Sequence, residues 1–384
     1  MPLHDLLQSS GISYGVVQPG NDVPGGVPII RVKDIKDGRI LTSDVLRIDP
    51  EIEAKHSRTR LQGGEILLSL VGTIGEVAIA PKEVSGWNVN RAVGVLRVAA
   101  DITAEWVALC LRTEQAQRHM TDRLNTTVQS TLNLREVRTT PIVLPPARER
   151  QAIVEVLGAL GEKIAVNECI VARADELIRY LFIAARSEGD ARELPLLDAL
   201  RVTFGSPFES SGFSAEGVGR PLLRIRDLKT YAPQVWTTQS LEKELVVKPG
   251  DVVAGMDAEF RPTFWLGKPA LLNQRVLHAQ SRVGGGAALA REALREPLAR
   301  VEGYKTGTTV AHLNKRDLST LTVQVPSERA TDGFEARAES LRGRLLAAAA
   351  ESDVLAALRD TLLPQLMSGR LRVKDAEKIV EDAT

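Results

Sequence analysis

The segment VPIIRVKDI at residues 27–35 recurs as RPLLRIRDL at residues 220–228. Each copy has a proline, two apolar residues, and then the pattern Arg-apolar-basic-Asp-apolar. We interpret each copy as a short strand with basic and acidic side chains near the start of a domain. A repeat separated by nearly 200 residues indicates that a whole domain is duplicated, because solenoid repeats recur every 20–50 residues.

Further matches follow in the same order along the chain. They pair GGEILLSL (63–70) with PGDVVAGM (249–256), NVNRAVGVLRV (88–98) with LLNQRVLHAQSRV (271–283), TTVQSTLNLREV (126–137) with TTVAHLNKRDL (308–318), and IVLPP (142–146) with VQVPS (323–327). The offset shrinks along the chain, as loop deletions in the second copy would produce. The sequence therefore predicts a tandem duplication.

Composition limits the classes of protein to which the chain can belong. The 384 residues contain 43% hydrophobic side chains, which favours a globular protein of two or three domains. We expect no membrane span and no signal peptide. The two cysteines, Cys110 and Cys169, form no C-x-x-C pair, so we expect free thiols, no zinc site and a cytoplasmic protein.

Charge alone does not indicate a nucleic-acid partner. Lys+Arg and Asp+Glu both number 49, and residues 1–146 hold 16 basic and 16 acidic side chains. Positive charge would have to gather on one face. The best local candidate is KHSRTR (55–60), although charge alone favours a solvated loop there.

Each repeat is followed by a long helical pattern with apolar residues in 4-3 spacing, which is typical of a coiled-coil seam. The seams contain Ile153, Leu157, Leu160, Ile164, Asn167, Val171, Ala174, Ile178 and Leu181, then Phe334, Ala338, Leu341, Leu345, Ala348, Ser352, Leu355, Arg359 and Leu362. We predict two long helices in an antiparallel coiled coil related by a pseudo-twofold axis, with a break at Pro364. The alternative is that each helix packs only on its own domain.

We predict an α/β (α+β) fold with two globular domains joined by the two long helices. The expected bounds are 1–146 for the first domain, 147–187 for the first long helix, 188–327 for the second domain, 328–373 for the second long helix and 374–384 for a poorly ordered charged tail. One helix is expected over 104–124 and another over 288–303, with a kink at Pro297.

Motifs for catalysis are missing. The chain has no G-x-x-x-x-G-K-[ST] loop, no strand-borne G-x-G-x-x-G and no G-x-S-x-G elbow, and its five histidines are scattered. We therefore expect a binding protein with no metal and no catalytic residues.

These segments carry a resemblance. The two P-[IL]-[IL]-R-[VI]-[KR]-D-[IL] stretches, GEILLSLVGTIGEV in the first copy, MDAEFRPTFWLGKPALLNQRV (256–276) in the second and LLPQLMSGRLRV (362–373) resemble the specificity (S) subunit of type I restriction–modification systems. The resemblance implies that both are target-recognition domains, which read an asymmetric, bipartite DNA site with one half-site per domain. It also implies docking to two methyltransferase subunits and, through them, to restriction subunits. S-adenosylmethionine, ATP and Mg²⁺ are expected in those partners, with no cofactor in this chain.

Candidate DNA contacts are the polar side chains of the repeated loops, because Arg suits guanine whereas Asn and Gln suit adenine. They are Asn88, Asn90, Arg91, Thr127, Gln129 and Ser130 in the first copy, and Asn273, Gln274, Arg275, Lys305, Thr306 and Thr308 in the second. Lys55, Arg58, Arg60 and Arg261 are expected to contact phosphates. A structural role for the Asn residues, which often bond their own backbone in turns, stays open.

Three other functions remain open. One is a coiled-coil scaffold whose end domains bind proteins. Another is a nuclease with fused recognition domains, against which the missing catalytic motifs speak. The third is the recognition subunit of a methylation-only or other phage-defence system.

Overall fold

The computed structural model describes residues 1–124, 130–188, 191–257, 259–305 and 312–383. The chain divides into two compact units. The first unit contains Met1–Gly161 and Ala357–Thr384, and the second contains Glu162–Ala356. Each unit therefore combines one of the repeated domains with part of each long helix. We call these domains the first and second recognition domains, after their predicted role.

The first recognition domain is built on short strands. They are β1 (Leu7–Tyr14), β2 (Val27–Ile30), β3 (Ile35–Lys36), β4 (Arg39–Ile40), β5 (Leu46–Ile48), β6 (Ile66–Ser69), β7 (Val77–Ile79), β8 (Asn88–Val89) and β9 (Val93–Val98). An antiparallel sheet has the order β1-β9-β6-β7, and a second sheet has the order β5-β2-β8. In the second sheet β2 and β8 run parallel. The apolar segments EILLSL and VGVLRV, which belong to the repeated matches, form β6 and β9.

The helices of this domain are short. They are α1 (Pro50–Ala54), α2 (Ala104–Arg112), α3 (Glu114–Thr121) and α4 (Leu134–Arg138). The single helix predicted over 104–124 is wrong, because Thr113 has an extended backbone and its hydroxyl caps α3 by accepting from Ala116 N. The long helix α5 (Ala147–Ser187) then begins directly after Pro145-Pro146.

The second recognition domain repeats this plan. Its strands are β10 (Arg192–Pro195), β11 (Leu200–Phe204), β12 (Phe213–Ser214), β13 (Arg220–Leu223), β14 (Trp236–Thr237), β15 (Val246–Val247), β16 (Val252–Gly255), β17 (Thr263–Phe264), β18 (Ala270–Leu272), β19 (Val276–Ser281) and β20 (Thr322–Val325). Its helices are α6 (Leu196–Ala199), α7 (Gly286–Lys305), which contains Pro297, and α8 (Lys315–Ser319).

Sheet topology confirms the duplication. The order β11-β19-β16-β17 in the second unit matches β1-β9-β6-β7 in the first, and both sheets are antiparallel. The parallel pair β13–β18 likewise matches β2–β8. The matched segments identified in the sequence thus occupy the same positions in two copies of one fold.

The opening motif is only partly a strand. After β2 and β13 the chain turns into 3-10 helices, Val32–Asp34 and Ile225–Lys229. The predicted basic-acidic strand is therefore wrong at its second half. The buried carboxylates of Asp34 and Asp227 accept from the backbone N–H three residues earlier, at 2.8 Å from Arg31 and 2.9 Å from Arg224. The motif recurs because each copy needs this turn.

The second long helix, α9 (Glu328–Met367), pairs with α5. Within the second unit, Asn167 on α5 meets Glu351 on α9, and the Phe182 ring packs edge-on against Phe334 with centroids 5.7 Å apart. Numbers rise along one helix as they fall along the other, so the predicted antiparallel pair is confirmed. Buried seam residues are Ile153, Leu157, Leu160, Ile164, Ala174, Ile178, Phe334, Ala338, Leu345, Ala348, Leu355 and Leu362.

Two predictions at the C-terminal end are wrong. Helix α9 continues through Pro364 to Met367, and Gly369 adopts a left-handed φ of 69° just beyond it. The tail is not irregular, because α10 (Val373–Ala383) follows and buries Ala376. In the described part of the chain, no helix has the length and apolarity to cross a membrane.

Candidate nucleic-acid interface

Two turns leave the sheets at equivalent points, residues 90–92 after β8 and residues 273–275 after β18. They contain predicted base contacts, and we call them the reading turns. Asn90 follows β8 and forms a parallel bridge with Val16, while Asn273 follows β18 and forms a parallel bridge with Ser206. Asn90 Oδ1 accepts from Ala92 N at 3.0 Å, and Asn273 Oδ1 accepts from Gln274 N at 2.7 Å. Both Asn side chains therefore shape their own turn.

The neighbours of these two asparagines point to solvent. Arg91, Gln274 and Arg275 are all exposed. Among the described residues, Arg91 has no ion-pair partner. The turns thus present one cation in the first unit, and an amide and a cation in the second.

The predicted base contact of Asn88 is wrong. Its side chain is fully buried, and its Nδ2 donates to Glu53 Oε1 at 3.0 Å and to the His56 carbonyl at 3.1 Å. Thr59 Oγ1 donates to its Oδ1 at 2.7 Å. A base edge cannot reach an amide whose hydrogen-bonding groups are satisfied inside the protein. Asn88 instead attaches the reading turn to the KHSRTR loop.

The KHSRTR loop lies between β5 and β6. Arg60 is held by the buried carboxylate of Glu53, with its Nε 2.9 Å from Oε1, and this hydrogen bond lowers the pKa of Glu53. Arg97 clamps the loop by donating to the carbonyls of Arg58 and Arg60, both at 3.0 Å. Lys55 and Arg58 stay exposed and have no side-chain ion pair among the described residues.

The corresponding loop of the second unit has a different sequence. Strand β14 pairs with β13 as β5 pairs with β2, and residues 238–251, which include β15, separate β14 from β16. Further exposed cations of the second unit lie around a cavity of about 760 Å³ whose lining includes Arg226, Lys229 and Arg261. Lys229 is paired with Glu259 at 2.9 Å, while Arg226 and Arg261 have no ion pair among the residues that the structure describes.

The structure describes only some of the remaining predicted DNA contacts. Ser130 is half-buried, and the next residue, Thr131, bridges to Val71. Thr127, Gln129, Thr306 and Thr308 lie outside the described residues, as does the side chain of Lys305.

Sequence reasoning missed three side chains near the reading turns: Asp257, His312 and Arg226. Asp257 Oδ1 lies 3.6 Å from Arg275 Nη1 and within hydrogen-bond distance of His312 Nδ1. The sequence signal was present, since MDAEF replaces the first copy's LVGTI at the matching strand end. Its proximity to Arg275 and His312 depends on the fold.

Comparison with known proteins supports the predicted resemblance. Residues 20–173 match the model of the type I restriction modification DNA specificity domain, and this match covers less than half of the chain. Over that segment the chain is similar to type I restriction–modification specificity subunits.

One relative and one solved structure show how far the likeness extends. The EcoBI specificity subunit of a type I restriction enzyme from Escherichia coli is 30% identical over 182 residues, which are 45% of this chain and 38% of that protein. The match thus spans less than half of the relative. The crystal structure of a type I restriction–modification S subunit from M. genitalium shares the fold, with a TM-score of 0.56 and 12% identity over 95% of each chain.

Proposed function

We propose that this chain reads an asymmetric, bipartite DNA sequence, with one half-site for each recognition domain. The observation that carries the proposal is the turn after β8 and β18. Its backbone is the same in both units, yet it presents Asn90-Arg91-Ala92 in one and Asn273-Gln274-Arg275 in the other. Two equivalent frames with different side chains suit two different half-sites.

The exposed groups match DNA chemistry. Arg can donate two hydrogen bonds to guanine, and Gln can make two with adenine. Lys55, Arg58 and Arg261 are exposed cations suited to phosphates, which position a protein without carrying sequence information. A net charge of zero is compatible with this role, because the cations need to gather only at the contact surface.

The same proposal covers the partners. In the second unit, α5 exposes Val166, Leu177, Tyr180 and Ile183, with Val166 55% and Tyr180 59% accessible. Apolar side chains exposed along one helix suit a protein partner. We assign that surface to methyltransferase subunits, through which restriction subunits would join in the cytoplasm. Those partners would supply S-adenosylmethionine, ATP and Mg²⁺ chemistry, and this chain would be non-catalytic.

Selection from a random duplex pool tests the proposal. The full chain, alone and with the methyltransferase subunits that copurify with it, is incubated with the pool, and the retained DNA is sequenced. We expect two different conserved blocks separated by an unread spacer. As a control, Lys378→Ala removes an exposed cation of α10 and should leave the motif unchanged. Retention of no preferred sequence by either preparation would refute the proposal.

Catalysis needs a separate measurement. The chain alone, given DNA, S-adenosylmethionine and Mg²⁺, should neither methylate nor cut. Either activity, if it stays with the chain through further purification, would show that it is an enzyme.

A further inference from the structure

One three-segment junction has the same backbone in both units. In the first unit, Leu70 N donates to the Ala92 carbonyl and Leu132 N donates to the Leu70 carbonyl, both at 2.8 Å. In the second, Met256 N donates to the Arg275 carbonyl at 3.0 Å and Leu313 N to the Met256 carbonyl at 2.8 Å. The end of β6 or β16 thus meets the reading turn and the segment before α4 or α8.

The side chains at this junction differ between the two units at three positions. The antiparallel bridges Val71–Thr131 and Asp257–His312 are equivalent, and Ala92 corresponds to Arg275. Positions that are apolar or neutral in the first unit are therefore occupied by a carboxylate, a guanidinium and an imidazole in the second. The shared backbone shows that the fold itself does not require the charged set.

The charged set has a defined geometry. Asp257 is the inner member, with its side chain 21% exposed, whereas the side chains of Arg275 and His312 are each 53% exposed. Arg275 Nη1 lies 3.6 Å from Asp257 Oδ1, and His312 Nδ1 contacts the same oxygen. The carboxylate thus holds one side of the guanidinium while the rest of that group faces solvent.

Such an arrangement adds little stability, because exposed ion pairs are screened by water. What it does is restrict a flexible side chain. A guanidinium has five N–H donors, so Arg275 keeps enough of them to bond two acceptors of a guanine after it has paired with Asp257. A restricted Arg also loses less conformational entropy when it binds.

The corresponding place in the first unit is open. A cavity of about 520 Å³ lies there, lined in part by Tyr14, Val17, Val71, Ala92 and Thr131. Arg91, on the same lining, has no carboxylate beside it among the lining residues. A cavity of about 760 Å³ adjoins Asp257 in the second unit, so both junctions border open space and they differ in charge.

We propose that this junction is a specificity-determining site, and that Asp257 is the positioning residue that orients Arg275 toward a guanine in the second half-site. The inference rests on the proposed function and adds the residue that sets one base preference.

The test uses the same duplex pool with the full chain and its copurifying subunits. We compare wild type, Arg275→Ala, Asp257→Asn and the double variant. We expect both single variants to lose preference for guanine at one and the same position, by on the order of tenfold to a hundredfold. The double variant should lose no more than Arg275→Ala alone, because Asp257 acts only through Arg275.

Three controls separate a positioning role from a structural one. Asp257→Glu keeps the carboxylate and should retain the preference. Glu259→Gln removes a nearby carboxylate that pairs with Lys229, and it should leave that base position unchanged. The half-site read by the first domain is an internal control, since its preference should stay intact in every variant.

Two outcomes would overturn the inference while the proposed function stands. In one, Asp257→Asn does not change the preference at the base position that Arg275→Ala affects. In the other, Asp257→Asn weakens all sequences alike. If wild type itself selects no motif, the proposed function fails and the inference fails with it.

Discussion

Asn167 Nδ2 on α5 donates a hydrogen bond to Glu351 Oε2 on α9 at 2.7 Å, across a largely apolar seam. Asn167 is only 2% exposed, and its amide is the main cause of the lowered pKa of Glu351. A polar residue at one buried seam position commonly fixes helix register at a cost in stability. The pair therefore sets the alignment of α5 against α9 in the second unit.

Replacing Asn167 should change the stability of the helix pair in opposite directions, depending on the new side chain. We expect Asn167→Leu to raise the free energy of unfolding by about 1–2 kcal/mol, because an apolar side chain fills the seam. Asn167→Asp should lower it by a similar amount, since two carboxylates would face each other. Thermal melting of both variants measures the difference. A lower melting temperature for Asn167→Leu would contradict this account.

Two glycines mark where the β strands approach the reading turns. A Cβ on Gly15 would lie 2.1 Å from the Val89 carbonyl oxygen, and one on Gly205 would lie 2.1 Å from the Asn273 carbonyl oxygen. We expect Gly15→Ala and Gly205→Ala each to destabilise the protein by about 1–3 kcal/mol, measured by urea unfolding.

Gly161 provides the matched control for these glycines. It lies in α5 with open space around its Cβ position. Gly161→Ala should therefore stabilise the protein by about 0.5–1 kcal/mol. Equal effects for all three substitutions would show that the close approaches do not matter.

Arg58 should contact a phosphate and not a base. We expect Arg58→Ala to weaken binding to all duplexes alike and to reduce the slope of log affinity against log salt by about 1. Mobility shifts at several salt concentrations, with a selected duplex and a scrambled one, provide the measurement. Lys378→Ala is the control. A loss confined to the selected duplex would assign Arg58 to base recognition instead.

Glu244 provides a prediction about pH. Its hydrogen bonds from Arg220, and next from Leu241 N, lower its pKa from 4.5 to about 2. A carboxyl with a lowered pKa in the folded state stabilises that state above its unfolded pKa. This contribution should therefore be present above pH 4.5 and disappear as the pH falls toward 2.

Glu244→Gln tests the sign. The variant should melt below wild type at pH 7, and the gap should close as the pH is lowered from 4.5 toward 2. Glu242→Gln, at an exposed position nearby, should show no such gap. A gap that widens in acid would mean that Glu244 does not stabilise the folded state as a carboxylate.

Sequence reasoning succeeded where the pattern is periodic or repeated. The 4-3 spacing predicted the buried seam, because each helical turn brings Ile153, Leu157 and Leu160 to one face. It failed where a single side chain redirects the backbone. Thr113 splits one helix into two, and Asp34 turns the end of a strand into a 3-10 helix. A local hydrogen bond of this kind leaves no period in the sequence.

The candidate interface shows the same division. The repeated turns identified Asn90, Arg91, Gln274 and Arg275 as one region of each domain, but the turns could not show which side chains are free. Asn88 looked equivalent to Asn90, yet it is buried and bonded to Glu53. Burial depends on packing against residues 35 positions away, which the local sequence does not encode.

The sequence by itself determined the duplication and the paired long helices, because both produce patterns that recur along the chain. Only the tertiary structure decided which polar residues face solvent and which support the fold. It alone brought Asp257, Arg275 and His312 together, since the hydrogen bonds that join β16, β19 and the segment before α8 connect positions far apart in the chain.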